Sequence, residues 1–191
     1  ILSRSKYMDQ LQGFWLTQCI ANWTGLITEM DKIEPPFYTD ENWDGPDERN
    51  IWGNFVPTSN NIIEFYFVHA GETWSADDDT DIEYMYQHLL DVNNVSILTP
   101  EQIRDGWLHH IYSNEDAPNN ENFLWVSNET AYYLMLGGLL PPATSTPENN
   151  SHYEMIDAQL TTEIFGLFAP TRPDVALRMA HLPIRTTAKD N

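Results

Sequence analysis

The chain has 191 residues with a formal net charge of −20 and a pI near 4.3. That balance argues against sequence-independent binding to nucleic acid or to an anionic membrane, and it suits cations or a substrate carried on a cationic group such as arginine. With 41% hydrophobic residues and seven Trp, the chain holds enough apolar material for one domain with a sizeable core.

Residues from about Ser5 to Asn22 place Tyr7, Met8, Leu11, Trp15, Cys19 and Asn22 near helical spacing, with Leu16 and Ile20 alongside. This predicts an amphipathic helix, with Gly25 as its stop. The single cysteine, Cys19, excludes an internal disulfide framework. Its apolar surroundings point to a structural thiol rather than a nucleophile. Thr24 to Lys32 reads as a loop, and Pro35 to Asn61 is a long loop region rich in Pro, Asn, Asp, Gly and Trp. Residues Asn61 to His69 suit either a strand or a buried helix.

The run Ala76-Asp77-Asp78-Asp79-Thr80-Asp81 follows, with four carboxylates and a hydroxyl in five residues. Like charges this close repel, and a cation relieves the repulsion. Oxygen donors of this kind suit hard ions such as Mg2+, Ca2+ or Mn2+. The same residues also suit a solvated helix start, where Asp and Thr serve as caps and Asp meets the positive end of the helix dipole.

Behind the run, Ile82, Met85, Tyr86, Leu89 and Leu90 follow the i, i+3, i+4, i+7, i+8 pattern of one helix face. Thr99-Pro100-Glu101-Gln102 reads as an N-cap, a first-turn Pro and a capping-box Gln, with Ile103, Trp107 and Ile111 on one face beyond them. Ser127 to Leu136 predicts a further helix ended by Gly137-Gly138 and closed off by Pro141-Pro142. Ala143 to Ser151 reads as a polar loop. Met155 to Phe168 and Pro173 to Leu182 predict two last helices. The fold class expected is all-α with long loops.

Other signals are weaker. Four N-x-S/T sequons occur, at Asn22, Asn94, Asn128 and Asn149, where about two would arise by chance. They hint at secretion, leaving cytoplasmic and secreted settings both open. His109 and His110 are adjacent, and neighbouring residues on a helix point apart, which disfavours a metal site made of those two. The chain shows no nucleophile elbow and no Gly-rich phosphate loop. Its apolar runs are too short to span a bilayer.

Taken in order, several segments resemble the ADP-ribosylglycohydrolase family, the all-α di-magnesium hydrolases related to dinitrogenase reductase-activating glycohydrolase. They are Gly13-Phe14-Trp15-Leu16, Gly25-Leu26-Ile27-Thr28-Glu29, Ala76 to Tyr84, Tyr132-Tyr133 with Leu139-Leu140-Pro141-Pro142, Ile156 to Gly166, and Ala169-Pro170-Thr171-Arg172-Pro173. The resemblance covers nearly the whole chain. It places the family's first metal motif, Thr-Asp-Asp-Thr, on Asp77-Asp78-Asp79-Thr80. It thereby implies Asp78 and Asp79 as Mg2+ ligands (Mn2+ is an alternative ion), with Asp77 where relatives often carry a Thr ligand.

The resemblance further implies Glu29 as a gate or general base near the substrate ribose, with Asp79 serving catalysis through the metal. Asp81 would cap the helix or support a ligand. Trp43, Trp52 and Phe55 are candidates for stacking on adenine, though loop packing explains them as well. The implied substrate is an ADP-ribose-bearing protein or small molecule, cleaved through an oxocarbenium-like transition state by metal-activated water.

Two departures stand out. Thr17 stands where many relatives have Gly, and the family's second metal motif, an Asp-x-Asp-Thr-like element, is absent from these residues. The expectation is therefore of an N-terminal portion of the fold, completed by a C-terminal fragment or by self-association. Two rival readings remain open: a non-catalytic protein that keeps the fold, and an extracellular Ca2+-binding glycoprotein or assembly subunit.

Overall fold

A computed structural model describes residues 2–26, 71, 78–111, 124 and 126–189. The chain divides into two compact units, Ile1–Ala76 and Asp77–Asn191. The described residues form helices and turns, with no strand among them. The fold class is all-α.

In the first unit, helix α1 spans Arg4–Leu26. It is longer at both ends than the spacing predicts and runs through Gly25 rather than stopping there. Tyr7, Leu11, Trp15, Cys19 and Asn22 are half-buried along one stripe, as their spacing requires. Phe14 and Trp15 meet edge to face with ring centroids 5.2 Å apart. Met8 and Leu16, expected on or beside the apolar face, are 48% and 60% exposed. The long loop region and the 61–69 segment lie outside the described residues.

In the second unit, α2 spans Asp78–Asn93, α3 Pro100–His110, α4 Val126–Leu136, α5 Asp157–Leu160, α6 Ile164–Phe168 and α7 Pro173–Thr187, with a 3-10 turn at Ala143–Ser145. Helix α2 buries Ile82, Met85, Tyr86 and Leu89, the face its periodicity marks. It ends in a left-handed residue, Asn94, with φ +51°. The N–H groups of Asn94 and Val95 donate to the carbonyls of Asp91 and Leu90, which satisfies two otherwise orphaned acceptors.

Thr99 caps α3 reciprocally with Gln102: the Gln102 N–H donates to the Thr99 hydroxyl at 3.2 Å, and the Thr99 N–H donates to Gln102 Oε1 at 2.9 Å. The short connection folds α3 back along α2. Gly106 lies directly against the Leu89 side chain, which allows this close approach because it has no Cβ. Helix α4 closes on Gly138, φ +93°, with the Leu139 N–H reaching back to the Leu134 carbonyl.

The C-terminal stretch departs from its pattern in three places. Met155 to Phe168 is not one helix. It forms two short ones, α5 and α6, with a break at Thr161–Glu163 between them. Helix α7 does not end at Leu182 but continues through a buried Pro183 to Thr187. Pro183 lacks an N–H, yet its neighbours Met179, Ala180, Thr186 and Thr187 are buried with it, so packing of one helix face outweighs the local break. The stretch 143–151, a polar loop by composition, carries three fully buried residues: Thr144, Ser145 and Asn150. Such burial requires internal partners. The Thr144 hydroxyl donates to the Thr186 carbonyl at 2.7 Å, and Asn150 Nδ2 donates to the Ser127 carbonyl at 3.2 Å. The polar loop is thereby part of the core.

Candidate functional site

The acidic run opens α2. Asp78 is the first residue of this 16-residue helix, Asp79 is half-buried, Thr80 is 4% exposed and Asp81 faces solvent. The alternation follows from helical geometry: Thr80 precedes Glu83 by three residues, so both fall on the buried side while Asp81 and Tyr84 fall outside. Asp78 to Asp81 stand at the end of the helix that carries a partial positive charge. Glu29 and Asp77 lie outside the described residues, as does the side chain of Asp78. Trp43, Trp52 and Phe55 also lie outside them.

Under the run lies a layer of buried polar groups that spacing alone does not single out. Glu83 is fully buried, and its Oε1 accepts the Ile164 N–H at 2.8 Å. Helix α6 has no side-chain cap of its own, so a carboxylate from α2 satisfies its first N–H. Tyr86, also fully buried, accepts the Trp107 Nε1–H at 3.2 Å, hydrogen-bonds the Thr186 hydroxyl, and packs on Phe165 with centroids 5.8 Å apart. Burial pushes the Tyr86 phenol up to about 12, against the opposing pull of the hydrogen bonds from Trp107 and Thr186. One tyrosine thus ties α2 to α3, α6 and α7.

Helix α5 packs on α2 and brings the buried Asp157 and Ala158 onto the same helix pair as the acidic run. Two of the segments that carry the family resemblance, far apart in sequence, therefore belong to neighbouring helices. The signal for Asp157 was its place in the Ile156-Asp157-Ala158-Gln159 stretch. Glu83 had no local signal, because its partner is Ile164, distant in the chain.

The donor chemistry of Asp77, Asp78 and Asp79, the expected ligands, is all oxygen, as a hard divalent cation requires. Among the described residues, no group of three or more His, Cys, Asp or Glu is placed to hold a metal ion. Of the three expected ligands, Asp79 alone has a described side chain.

The sequons separate by burial. Asn94 and Asn149 are exposed, Asn22 is half-buried, and Asn128 is fully buried on α4. A glycan on Asn128 is incompatible with this packing. Among the described residues, no helix is long and apolar enough to cross a membrane.

Comparison of the chain with protein-family models, with curated proteins and with solved structures finds no match. The resemblance to the glycohydrolases rests on the sequence segments named above.

Proposed function

We propose that this chain is the metal-binding N-terminal portion of an ADP-ribosylglycohydrolase-type hydrolase, in which Asp77, Asp78 and Asp79 hold Mg2+. The observation that carries the reading is the acidic run itself. It forms the start of a well-packed helix, over a buried Thr80, with the Asp157 segment on the neighbouring α5. A cation at that helix start would offset the repulsion among these carboxylates.

When bound, the metal supplies Lewis acidity and a water of lowered pKa. The chain's own residues then have separate tasks. Asp78 and Asp79 would hold the ion by carboxylate oxygens, with Asp77 as a third donor. By the resemblance, Glu29 would serve as gate or general base. Asp81, which faces solvent, would cap the helix or support a ligand. The substrate class is an ADP-ribose glycosidic linkage, on a protein side chain or a small molecule. Turnover needs the family's second acidic motif, so we expect the 191 residues alone to bind metal and a completed protein to hydrolyse.

The test is calorimetric titration of Mg2+ and Mn2+ into the chain beside an Asp78→Ala/Asp79→Ala variant. Binding by the parent that the variant loses supports the reading. Equal behaviour of the two proteins assigns the acidic run to helix capping alone.

A further inference from the structure

A cluster of imidazoles lies away from the acidic run, on the outer side of the α2–α3 pair. His88 near the end of α2 and His110 at the end of α3 place their rings edge to face, with centroids 5.1 Å apart and planes at 89°. His109 stands beside them, its ring centroid 4.7 Å from that of His110. Three of the chain's six histidines therefore meet in one patch, and all three are exposed. The packing of α3 along α2, set by the close approach of Gly106 to Leu89, brings His88 and His110 together.

We propose that His88 and His110 form a two-imidazole chelate for a borderline transition metal ion, Zn2+, Ni2+ or Cu2+, with water completing the coordination. Imidazole suits these ions and not Mg2+, so this site is chemically distinct from the acidic run and independent of the hydrolase reading. The ring spacing is the one a shared ion needs. A metal about 2.0–2.1 Å from one nitrogen of each ring lies about 3.2 Å from each centroid, and a tetrahedral angle then sets the centroids about 5 Å apart. The observed 5.1 Å brings the rings as close as that, and the two exposed side chains have room to turn from edge-to-face packing so that one nitrogen of each meets a shared ion.

The bridging pair is preferred over His109–His110. Consecutive helix residues point about 100° apart, whereas His88 and His110 approach from two helices whose contact is fixed by buried neighbours: Leu89, Ile103 and Trp107. An ion held there would cross-link α2 and α3, since each helix contributes one ligand.

The experiment is titration of ZnCl2 into the untagged chain at neutral pH in excess Mg2+, with His88→Ala, His110→Ala and His109→Ala as variants. All three residues are exposed, and circular dichroism is the check that each variant folds. The chelate predicts binding by the parent that weakens about tenfold or more in both the His88→Ala and the His110→Ala proteins, because losing either ligand removes the advantage of the paired second one. His109→Ala is expected to stay within about threefold of the parent. Absence of Zn2+ binding by the parent overturns the proposal, and so does a His88→Ala protein that binds as the parent does.

Discussion

The two sides of helix α2 treat acidic and polar groups in opposite ways. At its first turn, Asp81 faces solvent and Asp79 is half-buried. One turn further and on the inner side, Glu83 and Tyr86 are fully buried, each held by specific partners from other helices. The inner pair depends on hydrogen bonds within the protein, because an unpaired buried polar group is expensive. The difference shows that charge density and charge burial are separate signals. The first marks a candidate site, and the second marks what holds the helix that presents it.

The sharpest way to break this contrast is to remove the inner carboxylate. Glu83→Ala leaves the Ile164 N–H without its acceptor and opens a cavity, and the expected loss is about 3 kcal/mol of unfolding free energy by urea denaturation. Glu83→Gln keeps an acceptor oxygen and is expected to lose clearly less. A loss no larger for Glu83→Ala than for a surface substitution would remove the cap on α6 from the account.

Tyr86 gives the same contrast a pH signature. The unfolded chain releases the phenol proton near pH 10, while the folded protein keeps it until about 12. In that window the unfolded state binds fewer protons, so stability falls as pH rises. The loss is on the order of 2–3 kcal/mol and is complete above the folded value. Denaturation midpoints measured from pH 9 to pH 12 should show this slope in the parent and lack it in Tyr86→Phe.

Packing on the inner side predicts a further effect. A Cβ added at Gly106 would stand 2.7 Å from Leu89 Cδ2 and 3.0 Å from Leu89 Cγ. Leu89 is buried and must shift, so Gly106→Ala is expected to destabilise by about 1–2 kcal/mol despite the better helix propensity of Ala. Thr99→Ala, which removes half of the capping box on α3, should cost about 1 kcal/mol. Thermal denaturation of both variants measures these, and a stabilised Gly106→Ala protein would show that the α2–α3 contact is looser than drawn. The smallest effect belongs to the outer side: without divalent ions, Asp78→Ala/Asp79→Ala should change stability by no more than about 1 kcal/mol, since lost helix-dipole interactions and relieved repulsion oppose one another.

Much of the second unit was legible in the sequence. The buried face of α2, the capping box of α3 and the glycine stop of α4 are each specified within a few residues, and each appears where its pattern places it. What escaped the pattern depends on partners distant in the chain. Pro183 reads as a helix end, yet α7 passes through it because that helix face is buried. The stretch 143–151 reads as a solvated loop, yet Thr144 and Asn150 bond carbonyls on α7 and α4. His88 was passed over because its neighbour in space, His110, lies on the following helix. For the candidate site, the acidic run was plain from charge density, while Tyr86 below it was visible only as a member of a helical stripe and the buried Glu83 carried no local signal.

The most direct test of the central claim is the Mg2+ titration of the parent chain against Asp78→Ala/Asp79→Ala, read by calorimetry and by the shift in denaturation midpoint. A metal site predicts saturable binding and a midpoint that rises with Mg2+ in the parent only, since a ligand that binds the folded state alone stabilises it by mass action. No heat and no midpoint shift in the parent, or the same shift in both proteins, would contradict it and leave the acidic run as a helix cap.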